Sequence, residues 1–463
     1  MDSTRKTHLS PSTTTDTTAF KREIGVFGGV SIIAGAMVGS GIFYLGSQVL
    51  QACALHPGLA LLCWVVGGVV SLLGGLCFAE LGAAMPRAGG YIVYLNRAFH
   101  PVVGHMAGFT DFFIGGPGSS AAIALALMAA LDGWLGLGPV GVKAGAIALI
   151  TVITAYNLMG VKLVSRLLNV ALVAKLIPIA VIIVAALLLG RESPDLGGMG
   201  RAVAASGGMG GLFSALAMAI VATLWAYEGW MNLNIVTEEM TNPHRNLPLA
   251  LGLGIGGVAV LYTLFNFAIV RVLPQDTIAS LLASGEIYLG TQAIVTVLGQ
   301  TGGWLVSATM IVAMFGALNG FMLAGPRLCY AIAREGHFFG VFARLHATTA
   351  VPTAAIILQG ILASALVLAS HLDQLTAMVV VCMMLFKLLT ILAVPVLRQK
   401  FPDMARPYRV PLYPFSVIVS AVIFAALFLN AVFSDALLGL AGFCVPAIGA
   451  VVYFAFARAQ KKG

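Results

Sequence analysis

Gly35-Ala36-Met37-Val38-Gly39-Ser40-Gly41 and, much further along the chain, Trp225-Ala226-Tyr227-Glu228-Gly229-Trp230 each interrupt a long apolar run near its middle. In hydrocarbon every peptide N–H and C=O needs a partner, so a helix that breaks at that depth must line a cavity or lie buried in protein. Two such breaks in one chain point to a site for a small solute between them.

The runs around these breaks are typical of the whole sequence. Of 463 residues, 60% are hydrophobic and only 9% charged, and the mean hydropathy is +0.99. No soluble domain tolerates such a surface. A hydrocarbon core of roughly 30 Å is crossed by a helix of about 20 apolar residues, and about twelve such segments follow one another with short loops between them. They run approximately over 24–50, 58–84, 101–131, 139–159, 166–190, 211–240, 247–273, 303–333, 353–371, 374–397, 414–433 and 436–457. The expected fold class is an all-α integral membrane protein.

The formal charge of +8 would suit an acidic or nucleic-acid partner if it formed one patch, but the bases alternate with topology instead. Placing the N-terminus inside leaves only Lys143, Arg191, Arg201 and Arg271 outside, with the other loop and tail bases on the inner face. The positive-inside rule then predicts a multi-pass protein of the cell's inner (plasma) membrane with both termini cytoplasmic. The Ser/Thr-rich stretch Met1 to Phe20 lacks an apolar core and reads as a tail, not a signal peptide.

The broken spans are the first and the sixth, the trace of a five-plus-five inverted repeat. On this reading 1–23 is a cytoplasmic tail, 24–190 the first repeat and 191–210 an outer loop. The second repeat is 211–397, followed by a cytoplasmic loop 398–413, two peripheral spans within 414–457 and a tail 458–463. The polar stretch from Leu273 to Gly303 suits an outer helical lid. Pro86 to His100 suits a short interfacial helix with its tyrosines at headgroup depth.

An unwound helix frees N–H groups on one half and C=O groups on the other, and the half-helix dipoles add partial charge at those ends. That combination suits a zwitterion. Gly39, Ser40 and Gly41 can offer N–H donors, with the Ser40 hydroxyl, to a carboxylate. Carbonyls at Met37, Trp225, Ala226 and Glu228 can accept an ammonium. The glycines of the first break also fit a helix-packing motif, but two tryptophans, a tyrosine and a carboxylate around Gly229 do not. Trp225 and Trp230 would cover a bound solute, with Trp230 and Tyr227 as gating residues.

A carboxylate at mid-span costs about 2.5–3.5 kcal/mol on insertion scales, so Glu228 should face the cavity with a partner. Three roles are open to it: pairing a cationic cargo side chain, carrying a coupling proton, or hydrogen-bonding a neighbouring helix end. Lys175 lies too deep in the fifth span to reach either interface. Its ammonium can sit where sodium would otherwise bind and tether the freed carbonyls of the first break, which predicts sodium-independent transport. Lys387, nearer the cytoplasmic end of its span, is expected to snorkel. Glu80 should meet an inner-loop base.

The six cysteines form no CxxC or Cys/His cluster and read as buried hydrophobes. There is no P-loop, HExxH or GxSxG. A non-enzyme without cofactor or metal is expected.

At this point the chain resembles the amino acid–polyamine–organocation superfamily and, within it, the L-type amino acid transporters, over roughly 24–457. The resemblance rests on Gly39-Ser40-Gly41-Ile42-Phe43, Cys77-Phe78-Ala79-Glu80-Leu81-Gly82 through Gly89-Gly90, and Ala174-Lys175-Leu176. Further matches are Trp225 to Trp230 through Glu238-Glu239 to Asn246-Leu247-Pro248, Phe315-Gly316-Ala317-Leu318-Asn319-Gly320, Arg334-Glu335-Gly336-His337 and Arg406-Pro407-Tyr408-Arg409-Val410-Pro411.

What the resemblance implies is sodium-independent amino acid transport by alternating access, often as one-for-one exchange, on neutral and possibly cationic L-amino acids. Carried onto matching positions, Ser40 and Gly41 take the carboxylate, the carbonyls of Met37, Trp225, Ala226 and Glu228 take the amine, Trp230 gates and Lys175 fills the sodium-like site. An acidic residue at Glu228 departs from relatives that prefer large neutral cargo. Animal members bond a heavy chain through a cysteine between the third and fourth spans. Leu131 to Pro139 has none, so no such partner is expected and the prokaryotic branch is the better likeness, as a monomer or weak homo-oligomer. The competing readings are a proton-coupled amino acid or amine symporter and a membrane amino-acid sensor without transport.

Overall fold

The computed structural model describes residues 20–39, 41–197, 199–286, 288–369, 372–434 and 436–460; the expected tail segments 1–19 and 461–463 lie outside them. Helices begin where proline or a capping histidine allows. Pro57 opens α3 behind His56, whose ring nitrogen accepts from the Leu59 N–H at 3.2 Å, and Pro101 opens α5 behind His100 in the same way.

In chain order the helices are α1 (Val26–Met37), α2 (Gly41–Ala52), α3 (Pro57–Ala84), α4 (Tyr91–Ala98), α5 (Pro101–Thr110), α6 (Gly116–Leu135), α7 (Gly138–Asn157), α8 (Val161–Leu189) and α9 (Met199–Ala205). They continue as α10 (Met209–Ala226), α11 (Asn232–Ile235), α12 (Pro243–Val272), α13 (Gln275–Ala283), α14 (Leu289–Arg334), α15 (Thr353–Ala369), α16 (Leu372–Lys400), α17 (Phe415–Ser434) and α18 (Ala436–Gln460). A π-helical turn, Asp111–Gly115, joins α5 to α6, so the third span is continuous but wound wider at its acidic residue. Among the described residues there is no strand, only an isolated bridge between Ile24 and Met240.

Among the described residues nine helices are long and apolar enough to cross a membrane, ten when α1 and α2 count as one span bent by 51°. Two shorter apolar helices cover Thr353–Ala369 and Phe415–Asn430. The chain is a multi-pass membrane protein. The stretch after Leu273 forms α13 and then the first part of α14, which kinks at Gly299 before running on to Arg334.

Long helices cross around the two breaks: α12 packs on α3 and α1, and α14 packs on α8, α6 and α1. Charged side chains gather where helix ends meet. At one end Arg398 grips Glu80 with two bonds of 2.9 and 2.6 Å, the Val410 N–H adds a third at 2.7 Å, and Arg406 stands 3.8 Å away. Arg327 and Glu239 pair at 2.8 Å at the same end. At the other end Arg271 donates to the carbonyls of Gly190 and Glu192, and Lys143 to that of Leu368.

One expectation is corrected here. Tyr91 and Tyr94 of α4 do not face the surface, as tyrosines of an interfacial belt would, but are fully buried. The Tyr91 hydroxyl donates to Asp111 at 2.5 Å and that of Tyr94 to Asn234 at 3.2 Å. Two hydroxyls that satisfy buried polar partners are more stable inside than at an interface.

The inner pairs differ in what their loss should cost. Arg327 and Glu239 are each 1% exposed, whereas Arg334, 3.7 Å from Glu238, is 60% exposed. Glu239→Ala strands a buried guanidinium and should destabilise by about 3–5 kcal/mol, against about 0–1 kcal/mol for Arg334→Ala. Melting temperatures of the detergent-solubilised variants check this; equal shifts would contradict it.

Candidate functional site

The first break begins where Val38 N–H makes the last helical bond of α1, to the Ala34 carbonyl at 3.0 Å. Gly39 N–H then turns back to Met37 O at 2.8 Å instead of reaching Gly35. The Gly35 carbonyl is thereby left without its helical donor. Lys175, fully buried at the middle of α8, supplies one: its Nζ lies 3.0 Å from Gly35 O, 2.9 Å from Ala34 O and 2.7 Å from Val38 O. An ammonium has three hydrogens, and each here has a carbonyl.

The second break follows Ala226. Glu228 N–H folds onto Trp225 O at 3.0 Å, Asn232 N–H reaches Gly229 O at 3.1 Å, and α11 resumes the helix for a single turn. Gly229 has φ +112°, and a Cβ there would stand 2.6 Å from the Ala36 Cβ. Both the conformation and the contact require glycine. The two breaks therefore touch. Gly41 repeats the approach on the other side, where a Cβ would lie 3.4 Å from the Ala226 Cα.

Tyr262 of α12 ties the breaks together. Its hydroxyl oxygen is 2.6 Å from Met37 O and 3.1 Å from Ala226 O. Sequence reasoning missed this residue, although a tyrosine in the middle of an apolar span, as Trp304 or Tyr288 near a span end is not, was a signal that a hydroxyl partner lay nearby.

Between the breaks lies a hollow of about 380 Å³, its mouth included, bounded by Met37, Gly39 and Gly41, by Trp225, Ala226 and Glu228, and by Ser119 and Ile123 of α6 and Ala317 and Phe321 of α14. α2 opens at this hollow with Gly41, and the first N–H groups of a helix have no partner within it; α10 ends at it with Trp225 and Ala226, whose carbonyls also accept from Glu228 N–H and the Tyr262 hydroxyl. Positive and negative backbone ends across one small space can hold an anion and a cation on the same molecule.

Six of the residues singled out in the sequence thus share one wall: Met37, Gly39, Gly41, Trp225, Ala226 and Glu228. Ser40 lies outside the described residues. Gly229 stands behind that wall, against Ala36. Tyr227 is not brought to the hollow: it is fully buried, its hydroxyl donates to Trp64 O at 2.9 Å, and its ring packs on Trp64 and Tyr262. Trp230 is 2% exposed with its ring edge-on to Phe78 at 4.9 Å. It borders a second, narrower cavity, which Trp225 and Glu228 also line.

Lys387 corrects a further expectation. It does not snorkel: its side chain is 6% exposed and its Nζ hydrogen-bonds Glu228. A carboxylate inside the protein offers an ammonium more than a distant interface does once both are out of water. Asp111, in the π-helical turn and within electrostatic range of both, was also missed by the sequence reading. It sits in a span whose polar glycine-rich sequence gave no periodic signal.

Comparison with known proteins meets this geometry at the family level. A family model described as amino acid permease matches residues 24–452. The b(0,+)-type amino acid transporter 1 of Mus musculus is 32% identical over 424 residues, 90% of this chain and 84% of its own. The serine/threonine exchanger SteT of Bacillus subtilis (strain 168) is 33% identical over 421 residues, covering 88% and 90% of the two chains. The cystine/glutamate transporter of Homo sapiens is 30% identical over 453 residues, covering 96% and 86%. All three are transporters by name, not enzymes, and with the broken first span, the buried lysine beneath it and a match of this length, the chain belongs to the amino acid permease family, as an L-type-like member of the amino acid–polyamine–organocation superfamily.

Proposed function

We propose that the protein is a sodium-independent amino acid exchanger that works by alternating access from the hollow between the two breaks. The observation that carries this reading is Lys175 with its three carbonyls. Its fixed positive charge occupies the carbonyl cluster of the unwound first span, where a coupling cation would otherwise bind. The backbone ends around the hollow supply what an α-amino acid needs: first-turn N–H groups of α2, beginning at Gly41 and joined by Gly39 and Ser40, for the carboxylate, and carbonyls at Trp225, Ala226 and Glu228 for the ammonium. The Met37 carbonyl joins them, sharing the Tyr262 hydroxyl with Ala226 O, so that one side chain positions both breaks. Relatives named as an amino acid transporter and a serine/threonine exchanger support the cargo class and the exchange mode.

In this reading 24–190 and 211–397 are the two halves of an inverted repeat, the basic end faces the cytoplasm of a plasma membrane, and no disulfide-linked subunit is needed. Trp230, packed between Phe78 and the second cavity, acts as the gate by moving with α11 and its flanking turns.

Counterflow in proteoliposomes preloaded with alanine, leucine, arginine or nothing tests the proposal. Labelled leucine should enter vesicles loaded with alanine or leucine about tenfold or more faster than empty ones, equally with sodium or choline outside. A sodium requirement, or equal entry into empty vesicles that collapses with the pH gradient, would overturn it. Lys175→Met removes the three donors and should lower the initial exchange rate by about tenfold or more; unchanged kinetics would remove the tethering role. Gly229→Ala forces a Cβ against Ala36 in a left-handed backbone and should reduce exchange at least as much, with little loss of folded yield, as read by gel-filtration profile and initial rate.

A further inference from the structure

Among the described residues Glu228 is the one titratable group that lines the hollow between the breaks, and it also lines the cavity behind Trp225, where Lys387 and Met384 of α16 and Phe424 of α17 form the opposite side. The Lys387–Glu228 pair therefore sits in the partition between the two spaces, with side chains 6% and 16% exposed. As a unit it is neutral. Asp111 stands behind it, lines neither space and takes the Tyr91 hydroxyl at 2.5 Å.

An amino acid whose carboxylate lies at the start of α2 and whose ammonium lies at the end of α10 can extend its side chain only along the remaining wall. That lining is the Glu228 side chain with Ala36, Ser119, Ile123, Ala317 and Phe321. We propose that Lys387 is a specificity-determining residue, the resident counter-ion of Glu228, and that it restricts the hollow to amino acids with uncharged side chains. The proposal rests on the reading of the hollow as the amino acid site and names its cargo class.

The physical reason is competition for one carboxylate. A cationic side chain would have to displace Lys387 or share Glu228 with it, leaving an excess positive charge in a low-dielectric wall. An anionic side chain would meet Glu228 or pull Lys387 away from it, with the opposite excess. An uncharged side chain disturbs neither. Exclusion of charged cargo then comes from what the wall repels more than from what it attracts.

The test removes each partner in turn and reads selectivity. In leucine-loaded proteoliposomes, Lys387→Met uncovers Glu228 and should raise the ratio of L-lysine to L-leucine exchange by about tenfold or more. Glu228→Gln uncovers Lys387 and should raise the ratio of L-glutamate to L-leucine exchange in the same range. Lys387→Arg keeps the pair and should leave the ratio at the wild-type value, a rescue that packing alone would not explain. For a variant that no longer turns over, the rise in melting temperature caused by L-lysine or L-glutamate in detergent reads the same preference. Leucine exchange by the wild type with both ratios unaltered in the variants, or wild-type exchange of L-lysine as fast as L-leucine, would overturn the counter-ion role alone. A wild type that exchanges no amino acid would overturn the reading of the hollow and this assignment with it.

Discussion

Everything in the centre of this protein depends on one ammonium group. Lys175 is out of reach of water, and only the three carbonyls that the first break exposes make its charge tolerable. The dependence runs both ways, because the Gly35 carbonyl loses its helical donor only if α1 stops at Met37. Small residues on α14 let this arrangement lie flat against it: a Cβ at Gly316 would be 3.8 Å from the Lys175 Nζ and one at Gly320 3.4 Å from the Ala36 Cβ. With α1 pinned from behind, Ala36 is presented to Gly229, and the second break is located by contact with the first.

The broad fold is legible in the sequence because lipid imposes one requirement on every span, and apolar length satisfies it visibly. The first break was equally legible, since a run of glycines around a serine has no other use at that depth than packing or unwinding. What periodicity cannot carry is partnership across the bundle. Lys387 and Glu228 are 159 positions apart, and nothing in either local context names the other. A lysine near the end of an apolar run looks the same whether it reaches for the interface or for a carboxylate. Tyr91 and Tyr94 fail in the same way: an aromatic hydroxyl beside apolar neighbours fits an interfacial belt as well as a buried bond, and only the position of Asp111 or Asn234 decides. Tyr227 shows the limit of a motif, because its neighbours Trp225 and Glu228 face the hollow while the turn of the backbone sends Tyr227 to the other side.

The ionic groups divide by setting. At the helix ends, Glu80 with Arg398 and Glu239 with Arg327 join segments distant in sequence, and both oxygens of each carboxylate are engaged by bidentate or backbone donors. Such doubly engaged groups hold architecture. Glu228 differs in having one ammonium on one oxygen and open space beside it, which leaves lone pairs available at the wall. The same residue types thus separate into fasteners and contact surfaces according to how many of their acceptor positions remain vacant.

Tyr262 holds one hydrogen between two carbonyls. The geometry favours Met37, at 2.6 Å, over Ala226, at 3.1 Å, yet rotation about a single C–O bond redirects it from one to the other with no heavy atom displaced. The phenol is a rotor joining the two unwound segments, its one proton able to serve either oxygen without any change in the backbone.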